Sequence, residues 1–245
     1  MILEVCAEGV EMSVAADQAG ATRIELCAAI AQGGITPSAG IIEQVCKTVS
    51  CPVHVMIRPR AGDFLYSSYD IDAMAEDIRI AKDLGAEAVV FGLLDTDGMI
   101  DINNCECLLD AAEGMKKVFH RAFDMAADPF GSFNMIQELG FDVLLTSGRR
   151  QTAKDGMEVI RQLVLRKKSN IQIMAGSGVS PTNAALLTST GIQALHFTCK
   201  KITNGGMRYQ NRELQSMGSA DQDEFAVEIF DIDKFNNIKN AVEAI

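Results

Sequence analysis

The fold class is decided by one short helix-to-strand unit: residues 71–91 read IDAMAEDIRIAKDLGAEAVVF. Apolar residues at helical spacing predict an amphipathic helix over Ile71–Leu84. Gly85 follows, and glycine suits the left-handed backbone just past a helix end. The apolar run Ala88–Phe91 comes next and predicts a buried β-strand. A helix that leads directly into a buried strand is typical of a parallel sheet with crossover helices.

The same unit recurs along the chain. Eight apolar runs of strand length are separated by stretches of helical character: Ile2–Val5, Thr22–Leu26, Val53–Ile57, Ala88–Phe91, Val118–His120, Val143–Leu145, Ile171–Ala175 and Ala194–Phe197. Eight such strands in 245 residues predict a (β/α)8 TIM barrel that forms a single α/β domain over 1–245. An open doubly wound sheet is the alternative. However, strand one is followed by Ala7–Gly9 without a G-x-G-x-x-G turn, so no nucleotide cofactor is indicated.

The segment 199–232 departs from this pattern. It is too long for a simple loop and has no clear periodicity, so we predict an irregular excursion after strand eight. We expect it to cover the barrel mouth or to contact a partner subunit.

The composition excludes several partners. The chain has 22 Lys and Arg against 33 Asp and Glu, a net charge of −11, which disfavours nucleic acid and anionic lipid. No apolar run reaches the ~18 residues of a membrane span.

Seven cysteines, an odd number, favour a reduced protein. Met1–Cys6 has no basic stretch or cleavage site, so we expect a cytoplasmic location.

Strand alternation sorts the polar residues. In a barrel strand, side chains point alternately into the barrel and toward the helices, and the helix-facing side must be apolar. Leu3 and Val5 therefore face the helices, as do Ile24 and Leu26. This rule turns all three histidines and a set of charged and thiol side chains inward: Glu4, Cys6, Arg23, Glu25, Cys27, His54, Arg58, His120 and His196.

The inward charges have two interpretations. Buried Glu–Arg pairs could merely hold the barrel in register, and Arg23 is the residue that best fits this reading. Alternatively, they could form an active site, because barrel active sites lie at the carboxyl ends of the strands. The candidate catalytic residues are acids or bases, a possible polariser and an anion clamp: Glu4, Glu25, Arg58, His120 and Asp124.

Two segments of similar sequence, 3–7 (LEVCA) and 24–28 (IELCA), predict a thiol pair. Aligning them places Cys6 beside Cys27 and Glu4 beside Glu25 on neighbouring strands. Two converging thiolates are soft ligands that suit Cu(I), whereas zinc would need further ligands from His or carboxylate neighbours.

The loops after the strands add candidate substrate-binding groups. Arginine forks bind carboxylate or phosphate, and glycine-rich turns after strand seven often bind phosphate through backbone amides. These candidates are Arg60, Asp63, Arg121, Ser147, Gly148, Gly176, Gly178 and His196.

Several segments together resemble the CutC family, which is named for copper homeostasis. The matching pieces are LEVC at 3–6, RIELC at 23–27, GGITPS at 33–38, IRPRAGDF at 57–64, FHRAFD at 119–124, LTSG at 145–148 and MAGSGV at 174–179. Ala61 stands where the family often has glycine. The resemblance implies a cytosolic TIM barrel that forms homo-oligomers, with a dimer favoured, and that handles copper. It also implies a Cu(I) site at Cys6 and Cys27 and a small-molecule pocket around Arg58, His120 and Asp124.

Three functions therefore stand open at the level of sequence. The first is a cytoplasmic copper-homeostasis protein that binds Cu(I) through two cysteines at the barrel mouth. The second is a barrel enzyme that acts on a small anionic or phosphorylated metabolite by acid/base chemistry. The third is a scaffold without catalytic activity, in which the inward charges are only paired with one another.

Overall fold

The computed structural model describes residues 1–168, 170–211, 213–214, 216–217 and 223–244. In these residues the chain closes eight parallel strands into one barrel, with each strand beside its sequence neighbours. The strands are β1 (Ile2–Glu8), β2 (Arg23–Cys27), β3 (Val53–Met56), β4 (Ala88–Phe91), β5 (Lys116–Phe119), β6 (Val143–Thr146), β7 (Gln172–Gly176) and β8 (Ala194–Phe197). The prediction of a (β/α)8 barrel is confirmed.

Helices surround the barrel. They are α1 (Val10–Ala19), α2 (Ala39–Thr48), α3 (Ser68–Asp83), α4 (Ile102–Ala111), α5 (Ala122–Met125), α6 (Pro129–Glu138), α7 (Met157–Leu165), α8 (Ala184–Thr188) and α9 (Ile232–Glu243). Helix α3 begins three residues before the predicted start because Ser67 and Asp70 form a capping box: the Ser67 side chain accepts from Asp70 N, and the Asp70 carboxylate accepts from Ser67 N.

The barrel strands follow the predicted alternation. The outward residues Leu3, Val5, Ile24 and Leu26 belong to the apolar layer between strands and helices. Inside the barrel the side chains divide into two halves. Strands β4 to β7 contribute apolar groups such as Val90, Val118, Val143, Leu145 and Met174, while β1 to β3 and β8 contribute the buried acids and histidines. The candidate functional site therefore lies on the side of the barrel formed by β1 to β3 and β8.

The predicted alignment of β1 with β2 is wrong by two residues. Glu4 lies opposite Arg23, and Cys6 lies opposite Glu25. Barrel closure requires neighbouring strands to be staggered, so segments of similar sequence are not level with each other. The inward direction of each side chain is unaffected, because a shift of two residues preserves the face.

The segment 199–232 is not irregular throughout. It contains strands β9 (Lys200–Asn204) and β10 (Ala226–Phe230), which pair as an antiparallel two-stranded sheet. Phe230 then packs against Phe235 of α9 at a ring-centroid distance of 5.8 Å, which fixes the return of the chain to the barrel. Residues 212, 215 and 218–222 of the segment lie outside the described residues. The expected lid or partner contact stays a prediction.

No helix in the described part of the chain is long and apolar enough to cross a membrane.

Candidate functional site

A cavity of about 370 Å³ opens at the carboxyl ends of the strands. It lies within the size range of small-molecule sites. Several predicted site residues line it: Cys6, Cys27, Glu25, Arg58, His120, Arg121, Gly178 and His196. Sequence reasoning missed Phe64, Thr198 and Lys234, which also line it. Lys234 lies on α9, outside the barrel strands, so no strand pattern could have identified it.

The two predicted thiols meet in this cavity. Cys6 Sγ lies 3.7 Å from Cys27 Sγ, and the Cys27 thiol donates to Glu25 Oε2 at 3.3 Å. The contact with Cys27 lowers the pKa of the Cys6 thiol to about 5 against the opposing effect of burial. The same thiol–thiol contact, together with burial, raises the pKa of Cys27. Cys6 is therefore the more acidic thiol of the pair.

His196 joins the thiols from β8. Its Nδ1 lies 2.7 Å from Glu4 Oε1, and its Nε2 lies 3.7 Å from Glu25 Oε2. Ligand atoms of Cys6, Glu25 and His196 all lie within 4.8 Å of one another. Burial by itself lowers the pKa of His196, but Glu25, Cys6 and Glu4 together raise it well above its ordinary value.

Glu4 holds His196 from below the cavity. Its carboxylate forms a buried ion pair with Arg23 and lies 3.4 Å from His54 Nδ1. Burial raises the pKa of Glu4, but Arg23 and His196 outweigh this effect and lower it to about 2. His54 is fully buried, and burial lowers its pKa to about 4, so it is neutral at pH 7. Neither Glu4 nor His54 lines the cavity.

Arg58 lies on another wall of the cavity. Its Nη1 donates to the carbonyl oxygens of Gln32 and Gly34 at 3.2 and 3.1 Å, and its Nη2 donates to that of Gly62 at 2.8 Å. The Phe64 ring packs against the guanidinium at 5.1 Å. These contacts fix the Arg58 side chain in place. Only 5% of the residue's surface is exposed.

His120 lies beside the same phenylalanine, with ring centroids 5.0 Å apart. Its Nδ1 accepts a hydrogen bond from the Ala122 backbone at 3.2 Å. Burial and the neighbouring Arg58 lower the pKa of His120 to about 3. The ring is therefore neutral, with its proton on Nε2.

The comparisons with known proteins identify the family of this chain. Residues 1–201 match the sequence profile of the CutC family. The chain belongs to the CutC family. A CutC family protein from Enterobacter sp. (strain 638) is 44% identical over 225 residues, 92% of this chain and 91% of that protein. A human relative named copper homeostasis protein cutC homolog is 38% identical over 242 residues, 98% of this chain and 88% of the relative.

Solved structures agree with the fold. A crystal structure of CutC from Streptococcus agalactiae matches at a TM-score of 0.76 and 35% identity, over 81% of this chain and 98% of the other. Thiamine phosphate pyrophosphorylase from Pyrococcus furiosus matches at 0.60 with 16% identity, over 99% of this chain and 95% of the other, which shows the barrel fold alone.

Other candidate residues of this CutC protein lie away from the cavity. The Asp124 carboxylate accepts from Ser147 N at 2.9 Å and Arg149 N at 3.0 Å, and from the hydroxyls of Thr146 and Ser147. Arg121 also pairs with it at 2.9 Å. Asp124 therefore fixes the loop after β6 and does not line the cavity.

The remaining candidates make local contacts outside the cavity lining. Arg60 pairs with Asp63 at 3.0 Å within its own loop. Gly148 packs tightly against the Gly156 backbone, and Gly176 packs against His196. None of these four candidates, Arg60, Asp63, Gly148 and Gly176, lines the cavity, and neither does Ser147.

Proposed function

We propose that this CutC protein binds Cu(I) through Cys6 and Cys27 and serves copper homeostasis, the role that the name of its human relative carries. The observation that supports this is the 3.7 Å separation of the two sulfurs inside an open cavity. Paired thiolates are preferred Cu(I) ligands.

A third donor lies beside the two thiols. Ligand atoms of His196 and Glu25 both lie within 4.8 Å of Cys6 Sγ. We assign His196 as the third residue that would hold the ion, because imidazole is a better copper ligand than a carboxyl group.

The experiment is an anaerobic Cu(I) titration against a competing chelator in the presence of reductant. The Cys6→Ser, Cys27→Ser double variant is expected to lose more than about 100-fold in affinity, because both sulfur ligands are gone. Cys107→Ser is the matched control, since Cys107 is exposed on α4. Equal Cu(I) affinity in the double variant and the wild type would exclude this site.

Proton release measures the third ligand. Metal ligands must be deprotonated, so an ion held by the His196 imidazole displaces a proton whose pKa the neighbouring acids raise. His196→Gln removes this donor and keeps both thiols, so we expect weaker Cu(I) binding and the release of about one proton fewer than in the wild type. Calorimetry in buffers of different ionisation enthalpy counts the protons; equal affinity and an equal count in His196→Gln would leave the two-thiol site and remove His196 from it.

A second candidate function is acid/base catalysis on a small anionic metabolite. It is favoured by Glu25, a buried carboxyl group that lines the cavity beside His196 and whose pKa is raised by burial. Its test is turnover of phosphorylated and carboxylated metabolites by the wild type, with loss of turnover in Glu25→Gln. Turnover that Glu25→Gln retains would remove Glu25 from the mechanism.

A further inference from the structure

Arg58 is a buried cation without a buried counter-charge. The arginines that pair with carboxylates in the described part of the chain are Arg23, Arg60, Arg79, Arg121 and Arg161. Arg58 has only three backbone carbonyls, the Phe64 ring and the neutral Tyr66 hydroxyl. A guanidinium cannot lose its charge in a protein, and an uncompensated buried charge is costly. An anion in the cavity would supply the missing charge.

Arg58 and His120 also hold unused hydrogen-bond donors. A guanidinium has five N–H groups, and three of those on Arg58 are used by carbonyls. The Tyr66 hydroxyl beside the guanidinium accepts from at most one of the other two, and Nε has no hydrogen-bond partner among the described residues. The His120 proton lies on Nε2, because Nδ1 accepts from Ala122, and Nε2 has no partner among the described residues. Both side chains line the cavity, and Phe64 contacts both of them.

The cavity is larger than a copper ion needs. Its volume of about 370 Å³ would hold on the order of 12 waters at ~30 Å³ each. Apolar side chains of Phe64, Leu145 and Phe197 form part of its wall and suit the carbon skeleton of an organic ligand.

We propose that the cavity binds a small organic acid whose carboxylate accepts hydrogen bonds from Arg58 and from Nε2 of His120. A carboxylate carries the single negative charge that Arg58 lacks, and its planar oxygens match an arginine fork. A phosphate group carries between one and a half and two charges at pH 7, more than Arg58 alone compensates. Of the other cations that line the cavity, Arg121 is paired with Asp124, so a phosphate would also need Lys234. The organic acid lies beside the thiol pair and uses none of its atoms, so this site is independent of the Cu(I) site.

The experiment is an NMR titration that follows the Arg58 side chain directly. In protein with ¹⁵N-labelled arginine, the Arg58 Nε–H resonance is assigned by its absence from Arg58→Gln. Sodium acetate is the probe, and it should move this resonance with saturation. Because acetate has only four non-hydrogen atoms, its Kd is expected in the millimolar range. Inorganic phosphate at equal ionic strength should move it less.

Variants show which side chains bind the acetate. Arg58→Lys keeps the charge and loses the fork, and His120→Gln changes the second donor, so each should weaken acetate binding about 10-fold. Arg79→Gln is the matched control, since Arg79 is exposed on α3 and pairs only with Glu76. Circular dichroism shows whether each variant is folded. If Arg58→Lys does not fold, the shift of the Arg58 resonance in the wild-type protein still tests the proposal.

Three outcomes would overturn the proposal: an Arg58 resonance that acetate leaves unmoved, tighter binding of phosphate than of acetate, or equal loss of acetate binding in Arg79→Gln. The Cys6→Ser, Cys27→Ser variant separates this site from the Cu(I) site, because it should bind acetate as the wild type does. Failure of copper binding would therefore leave the carboxylate site standing.

Discussion

Two glutamates that face the same barrel interior behave in opposite ways. Glu4 and Glu25 are both buried on neighbouring strands. Glu4 forms an ion pair with Arg23, and its pKa falls to about 2. Glu25 has a thiol donor at 3.3 Å and no arginine, and burial raises its pKa. The inward direction is the same for both, so the neighbouring partners decide whether the pKa of each carboxyl group falls or rises.

The largest expected effect on stability comes from breaking the ion pair between Glu4 and Arg23. Glu4→Gln leaves the Arg23 guanidinium buried without its partner, and we expect a loss of about 3–5 kcal/mol in the free energy of unfolding. Urea denaturation at pH 7 measures it. In the double variant Glu4→Gln, Arg23→Met most of the loss should be recovered, because no uncompensated charge remains. A single variant as stable as the wild type would show that the pair is not structural.

The free energy of unfolding should depend on pH through the same Glu4–Arg23 pair. Glu4 has a pKa of about 2 in the fold against 4.5 ordinarily, so the unfolded chain binds more protons between these values. Its stabilisation, roughly 3 kcal/mol, is complete above pH 4.5 and is lost as the pH falls toward 2. His54 acts earlier, with stability lost from about pH 6.5 down to about 4.

Urea midpoints at successive pH values separate the two groups. Glu4→Gln should make the decline below pH 4.5 smaller and leave the decline that begins near pH 6.5; Asp17 and Asp70, whose pKa values are also lowered, account for what remains at low pH. If the decline below pH 4.5 is as large in the variant as in the wild type, the acid sensitivity does not come from Glu4.

The smallest effect is expected at Glu25. Burial raises the pKa of Glu25, and no arginine in the described part of the chain pairs with it, so Glu25→Gln leaves no buried guanidinium without its partner and we expect a change within about 1 kcal/mol. The same urea assay compares it with Glu4→Gln. A loss as large as that of Glu4→Gln would mean that Glu25 is ionised and that the contrast between the two glutamates is wrong.

Alternation made most of the barrel predictable from sequence. The helix-facing sides of the strands must be apolar, so residues such as Leu3 and Val55 fix the direction of Glu4 and His54 without any structure. The register was not predictable, because the stagger of a barrel depends on closure of the whole sheet and not on two similar segments.

The site was predictable only in part, since residue type does not show which partner a side chain takes. Arg58 and Arg60 lie two positions apart in one loop, yet Arg58 lines the cavity and Arg60 pairs with Asp63. Asp124 has the residue type of a catalytic acid but is saturated by the loop after β6. Lys234 reaches the cavity from α9, where nothing in the strand pattern points to it.

Gly176 places a limit on redesign of this barrel. A Cβ atom at this position would lie 2.6 Å from Leu145 Cδ1 and 3.1 Å from His196 Cδ2. The Leu145 methyl, which belongs to a side chain that lines the cavity, would have to move away, and the imidazole would have to give by less, which would shift its contact with Glu4. A library that randomises the cavity wall should therefore keep position 176 fixed, because even alanine there would alter the pocket's chemistry through its shape.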